Sequence, residues 1–117
     1  MAAVLADGPG SVLSHKSAAA LWGLRSAVPA LVEVISPRRT RSLGSLRRHC
    51  ARLPRDEMTF KHRIPVTTVS RTLFDLGAIV GSEELERAVR EAEVLRLPEK
   101  PPLPILLARY PHRRGID

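Results

Sequence analysis

The chain has 117 residues, of which 44% are hydrophobic and 26% charged, and its formal net charge is +7. This length suits one domain that folds without disulfide or metal staples, and the composition excludes a wholly disordered chain. The single cysteine excludes an internal disulfide, and no apolar run approaches the roughly 18 residues of a membrane span. The N-terminus has no basic region of a signal peptide, so we expect a cytoplasmic protein without a membrane partner.

The first predicted helix runs from Ser14 to Trp22. Ser14 is suited to cap it, Ala18, Leu21 and Trp22 share one face, and Gly23 is suited to end it. We expect Trp22 to pack against a sheet. Ser14 and His15 are neighbours in sequence and should not face each other on a helix. We therefore interpret Ser14 as a cap and His15 as solvent-exposed, rather than as a catalytic pair.

A strand is predicted at residues 31–35, where the sequence LVEVI lies between two prolines. Glu33 is its only charged residue. A glutamate inside such a strand marks either an edge position or a carboxylate that pairs with an arginine of the following segment.

That following segment, residues 37–55, holds seven arginines and no acid. Its charge equals the net charge of the whole chain, so the remaining residues are balanced. The pattern predicts a turn at 38–44 and a second strand at 46–53, which together make a basic hairpin. Neither face of the second strand is apolar, which favours an exposed edge position.

Clustered arginines are typical of surfaces that neutralise phosphates. We therefore predict a nucleic-acid contact, with duplex DNA bound through its backbone. The residues assigned to it are Arg38, Arg39, Arg41, Arg47 and Arg48. The alternative is that these arginines are solvated, or protect a sheet edge against unwanted pairing.

The sequence of the second half of the chain predicts one more strand and two helices. Residues 64–68 alternate as a strand, and Ser70 is suited to cap a helix with an apolar stripe through Leu73, Leu76 and Val80. Arg71 and Asp75 are four residues apart on its other side, an arrangement worth only a few tenths of a kcal/mol on an exposed helix. A strongly amphipathic helix follows from Ser82 to Leu95.

After Leu97 the chain becomes rich in proline, with a short helix predicted at 105–109. We predict an α+β domain over residues 1–97, with three or four mostly antiparallel strands packed by three helices. Residues 98–117 are predicted to be a linker or tail.

No motif predicts catalysis, and we expect no catalytic residue, cofactor or metal. The lysines lack the acids of a metal-dependent nuclease site, and paired strand carboxylates of a nucleotidyltransferase are missing. The four histidines lack the local spacing of zinc ligands, and the glycine-rich stretch lacks the lysine of a phosphate-binding loop.

Six stretches resemble a known family. The two longest are GPGSVLSHKSAAALWGL (8–24) and IPVTTVSRTLFDLGAIV (64–80), and the others are LVEVISPRR (31–39), RRH…RLPRDE (47–57), ELERAVREAE (84–93) and RRGI (113–116). On these stretches the chain resembles the middle region of AbiEi-type antitoxin-like proteins of type IV toxin-antitoxin systems, common in actinobacteria. Members typically carry a winged helix-turn-helix before this region, and many continue into an endonuclease domain resembling very-short-patch repair enzymes. Such antitoxins repress their own operon and counter a nucleotidyltransferase-like toxin.

The resemblance implies a non-catalytic, antitoxin-like module of a bacterial transcriptional regulator, to which the basic segment adds an auxiliary DNA contact. The alternative is a protein-interaction domain, or the remnant of a longer protein with a C-terminal endonuclease domain. Its partners would then be another protein or the missing flanking domains.

Overall fold

The computed structural model describes residues 10–25, 31–38, 44 and 46–111. These residues form five strands, four α-helices and one 3-10 turn. The strands are β1 (Val12–Leu13), β2 (Val32–Ser36), β3 (Leu46–Cys50), β4 (Met58–Lys61) and β5 (Ile64–Thr67). The helices are α1 (His15–Trp22), α2 (Val69–Leu76), α3 (Ser82–Val94) and α4 (Leu103–Arg109), and the 3-10 turn is Arg55–Glu57. None of the helices within these ranges combines the length and apolarity that a membrane span needs.

The five strands form one mixed sheet in the order β3-β2-β1-β5-β4. β1 pairs with β2 and β4 pairs with β5 in antiparallel fashion, whereas the pairs β1–β5 and β2–β3 are parallel. The predicted α+β class is confirmed, but the prediction of three or four mostly antiparallel strands with three helices is wrong in detail. β1 has only two residues, which is too short to show an alternating pattern.

The predicted basic hairpin is also wrong, because β2 and β3 run parallel. Val32 is aligned with Leu46 and Ser36 with Cys50. A two-stranded hairpin requires antiparallel neighbours, and alternation of side chains looks the same for either direction. The edge position predicted for the basic strand is confirmed, since β3 ends the sheet. The true hairpin is β4–β5, whose turn places His62 and Arg63 at positive φ of 51° and 65° without the usual glycine or asparagine.

Helix α1 lies between the sheet and the other helices. Ala18 packs with Leu13, Val34 and Val66 of the sheet, while Ala19 packs with residues of α2 and α3. Trp22 contacts both clusters, and its Nε1 donates a hydrogen bond to the Thr67 carbonyl oxygen at 2.8 Å. The predicted packing of Trp22 on a sheet is therefore confirmed, and Gly23 ends the helix at φ 82° as expected.

Of the two predicted helix caps, Ser14 is confirmed in position and Ser70 is wrong. Thr68 rather than Ser70 caps α2, because its side chain accepts a hydrogen bond from the Arg71 amide. Ser14 occupies the cap position of α1 but accepts no capping bond from the backbone. Both serines are buried. α3 ends one residue before the predicted limit, and Ala88 and Ala92 are its buried contacts.

The segment predicted as a linker or tail contributes α4 to the folded body. The short helix predicted at 105–109 is confirmed and begins two residues earlier, at Leu103. α4 packs against α2, and Leu106 is completely buried. The described part of this segment is thus anchored by an apolar contact.

We expect Leu106→Ala to lower the free energy of unfolding by about 2–5 kcal/mol, because it removes buried apolar volume. Leu107→Ala is the matched control: Leu107 is 39% exposed, and its truncation should change stability by no more than about 0.5 kcal/mol. Urea denaturation followed by tryptophan fluorescence measures both. Equal effects of the two substitutions would contradict the docked position of α4.

Candidate functional site

The structure describes three of the five arginines predicted to contact DNA. Arg47 is exposed and Arg48 half-buried on β3, where consecutive side chains point to opposite faces of the sheet. Arg38 is half-buried, and its Nη2 donates to Ser11 Oγ at 3.0 Å. Arg39 and Arg41 lie outside the described residues.

Glu33 has a different partner from the one predicted. It lies in β2, one strand in from the edge, so it does not mark an edge position. His49 Nε2 of β3 donates to Glu33 Oε2 at 2.9 Å, in place of the expected arginine. Parallel pairing aligns Glu33 with Arg47, and the next residue on that face of β3 is His49.

His15 is buried and lies beside Ser14. The predictions that His15 is solvent-exposed and that it does not face Ser14 are therefore wrong. Only 4% of His15 is exposed, and its Nδ1 lies 2.8 Å from Ser14 Oγ. The reason is the backbone: His15 opens α1 with φ at 52°, a left-handed conformation that regular helix geometry does not contain. Neighbouring side chains can then meet, which the helical spacing had excluded.

The imidazoles of His15 and His49 stack, with ring centroids 3.9 Å apart and planes inclined by 17°. Glu33 lies against both residues, and its Oε1 accepts from the Lys16 amide at 3.3 Å. We call His15, Glu33 and His49 the imidazole cluster. One nitrogen or oxygen atom of each residue lies within 4.8 Å of those of the other two.

The pKa of the Glu33 carboxyl is below its ordinary value. Burial alone raises it, but the hydrogen bond from His49 and the fields of both histidines lower it by more. The carboxylate of the imidazole cluster is therefore the stable form at neutral pH.

A second polar group surrounds Glu57, whose side chain is fully buried. Arg71 Nη1 donates to Glu57 Oε1, and Arg71 Nε donates to Asp75 at 3.0 and 3.1 Å. From α4, Arg109 Nη1 donates to Glu57 Oε2 at 2.6 Å, and the Tyr110 hydroxyl reaches both Glu57 oxygens at 3.0 Å. We call these five residues the Glu57 network.

The Arg71–Asp75 pair is thus not the weak exposed pair that the sequence predicted. Arg71 is 4% exposed and Asp75 fully buried. The guanidinium of Arg71 also lies 4.9 Å from the centre of the Tyr110 ring. The helical spacing predicted that Arg71 and Asp75 are paired, but it could not predict that the pair is buried. The second carboxylate that Arg71 binds, Glu57, lies 14 residues earlier in the sequence.

The geometry of the Glu57 network favours a role in stabilising the fold over a role in catalysis. Both oxygens of Glu57 accept bonds from groups of the same chain, and the apolar ring of Phe74 packs near Tyr110 with centroids 5.5 Å apart. Burial and the hydrogen bond to Glu57 raise the pKa of the Tyr110 phenol. Outside the buried centre, the hydrogen bond from Arg109 lowers the pKa of Asp56.

Comparison with known proteins gives no assignment: no protein-family model matches this chain, and no curated protein matches it either. The roles of the two polar clusters are therefore argued from their geometry alone. Neither cluster was predicted, although the sequence contains one signal for each. For the imidazole cluster it is Glu33 inside an apolar strand. For the Glu57 network it is the pair Arg71 and Asp75, whose neighbours along the helix are all apolar or small.

We expect Arg71→Met to lower the free energy of unfolding by about 3–5 kcal/mol, because it leaves Glu57 and Asp75 buried without their shared cation. Arg90→Met on the exposed face of α3 is the matched control and should change stability by no more than about 0.5 kcal/mol. Chemical denaturation measures both variants. An Arg71→Met protein as stable as the unmodified chain would contradict the buried contacts of Arg71 with Asp75 and Glu57.

Tyr110 is the only tyrosine in the chain, so the ionisation of its phenol can be measured directly. In the folded protein we expect the pKa to lie above the ordinary value of 10.0. Because the folded pKa is raised, the phenol stabilises the fold below pH 10 and this contribution is lost as pH rises further. Phenolate absorbance against pH is the measurement, with the urea-unfolded chain as reference. Identical titration curves for the folded and the urea-unfolded chain would contradict the hydrogen bond between Tyr110 and Glu57.

Proposed function

We propose that this chain is a non-catalytic, antitoxin-like module of a bacterial transcriptional regulator. In it, the basic segment around β3 contacts the backbone of duplex DNA. The resemblance to AbiEi-type proteins supports the regulatory part of this proposal, and the charge distribution supports the DNA contact. A cytoplasmic location is part of the same proposal.

One observation carries the DNA contact. Arg47, Arg52 and Arg55 are exposed on and just after the edge strand β3. Among the described residues, no carboxylate forms an ion pair with any of these three arginines. Their positive charge therefore remains available to an anionic partner, whereas Arg71 and Arg109 are neutralised within the chain. Arg38 and Arg48 are assigned to the same contact as flanking residues, together with Arg39 and Arg41.

Phosphate contacts of this kind position a protein without reading base sequence. The chain has an aromatic content of 3%, so it lacks the rings on which single strands stack. We therefore assign duplex DNA as the partner and leave sequence recognition to another part of the regulator.

The salt dependence of binding to a duplex of random sequence tests the proposal. Between about 50 and 200 mM salt, log affinity should fall linearly with log salt, with a slope of about −0.9 for each neutralised phosphate. Arg47→Glu with Arg52→Glu should lower affinity at every salt concentration and reduce the slope by roughly 2. Arg52 is chosen over Arg48 because Arg48 is half-buried.

The matched control is Arg87→Glu with Arg90→Glu, two exposed residues of α3 that change the net charge equally. These substitutions should leave the slope unchanged. A flat salt plot for the unmodified chain, or equal losses in both double variants, would reject the contact at β3.

A protein-interaction domain is the second candidate, favoured by one observation. Phe60 on β4, the opposite edge of the sheet, is 64% exposed, and Val94 at the end of α3 is 72% exposed. Exposed apolar residues of this size are found at protein contacts. If Phe60→Ala alters the oligomeric state and Arg47→Glu with Arg52→Glu leaves DNA retention unchanged, this second function replaces the first.

A further inference from the structure

The imidazole cluster has the composition of a metal site. Two imidazoles and one carboxylate come from three separate elements: the start of α1, β2 and β3. We propose that His15, Glu33 and His49 bind a divalent transition metal of borderline softness, with zinc as the fitting example.

The distances favour this assignment. Zinc binds imidazole nitrogen and carboxylate oxygen at about 2.0–2.2 Å, so donors in a tetrahedral site lie about 3.3–3.5 Å apart. His49 Nε2 and Glu33 Oε2 are 2.9 Å apart, and all three donors lie within 4.8 Å of one another. The metal takes the place of the proton between His49 and Glu33. Imidazole binds zinc through a lone pair in the plane of its ring, so the half-buried ring of His49 has to rotate out of the stack with His15 when zinc binds.

The cluster is already held in place by an outer layer of bonds. Ser14 Oγ lies against Nδ1 of His15, and the Lys16 amide donates to the second oxygen of Glu33. The backbone of Glu33 is fixed as well, because its amide donates to Ser17 Oγ and its carbonyl accepts from the Ser14 amide. Such outer partners orient ligands and fix the imidazole tautomer in metal sites.

The proposed site holds a buried carboxylate. Glu33 is 7% exposed, and its imidazole neighbours are stacked at 3.9 Å. A divalent metal would neutralise this carboxylate, and zinc binds imidazole in its neutral form.

The donor set selects the metal. Two nitrogens and one oxygen suit zinc and its neighbours, whereas calcium and magnesium require oxygen ligands. Three protein ligands leave a fourth position for water or another donor. His49 is half-buried, so the site opens toward β3 rather than into the core.

Metal binding would join β3 to the body of the protein. The edge strand pairs with β2 alone, and the metal adds a bond from His49 to α1 and β2. A metal that binds only the folded state stabilises it in proportion to the logarithm of its concentration. The zinc site does not depend on the proposed DNA contact, and its test needs no DNA.

Isothermal titration of the untagged, metal-stripped full chain with zinc chloride tests the proposal. We expect one zinc per chain, a rise in melting temperature on saturation, and no comparable rise with calcium. Cobalt(II) in place of zinc should give the visible absorption of a tetrahedral site. Absence of stoichiometric zinc binding would overturn the assignment.

Three variants locate the metal. His49→Gln should weaken zinc binding by more than about tenfold, the lower limit found when only an outer partner is lost. His62→Gln, an exposed histidine of the β4–β5 turn, and Cys50→Ser, the exposed thiol next to His49, should bind zinc as the unmodified chain does. Circular dichroism of His49→Gln without metal confirms that it is folded.

His15→Gln serves as the second ligand variant and should give the same loss. Equal zinc affinity of the unmodified chain and the His49→Gln protein, or a loss confined to Cys50→Ser or His62→Gln, would place the metal elsewhere and overturn the proposal.

Discussion

The fold depends on the neutralisation of one buried carboxylate, Glu57. Its side chain is fully buried, and burial of an unpaired charge costs several kcal/mol. Arg71 of α2, Arg109 of α4 and Tyr110, which follows α4, donate to this carboxylate. The Thr68 amide donates to the Glu57 carbonyl oxygen at 3.0 Å. The start of α2 and the position of α4 therefore both depend on contacts with the same residue.

The two polar clusters differ in what completes them. The Glu57 network contains its own cations, Arg71 and Arg109, and it satisfies both oxygens of its central acid within the chain. The imidazole cluster pairs Glu33 with His49 and the Lys16 amide, and its two imidazoles and one carboxylate are donor types that zinc takes. This difference is why we assign structure to the first cluster and a metal to the second.

Strand β3 connects the proposed activities. Its position at the sheet edge exposes Arg47, and its parallel register beside β2 brings His49 to Glu33. An antiparallel hairpin would change which residue of β3 lies opposite each residue of β2. The edge position of this one strand thus determines the basic surface, and its direction determines the imidazole cluster.

The sequence by itself determined the α+β class, α1 with its glycine end, the strand cores of β2 and β5, and the edge position of β3. Each of these follows from local periodicity or from the charge of consecutive residues. Tertiary structure alone decided the two-residue strand β1, the parallel pairing of β3, the burial of Arg71 and the meeting of His15 with His49. These features join residues 14 to 53 positions apart in the sequence, or depend on one left-handed backbone angle. The alternation of side chains along a strand encodes neither strand direction nor contact across such distances.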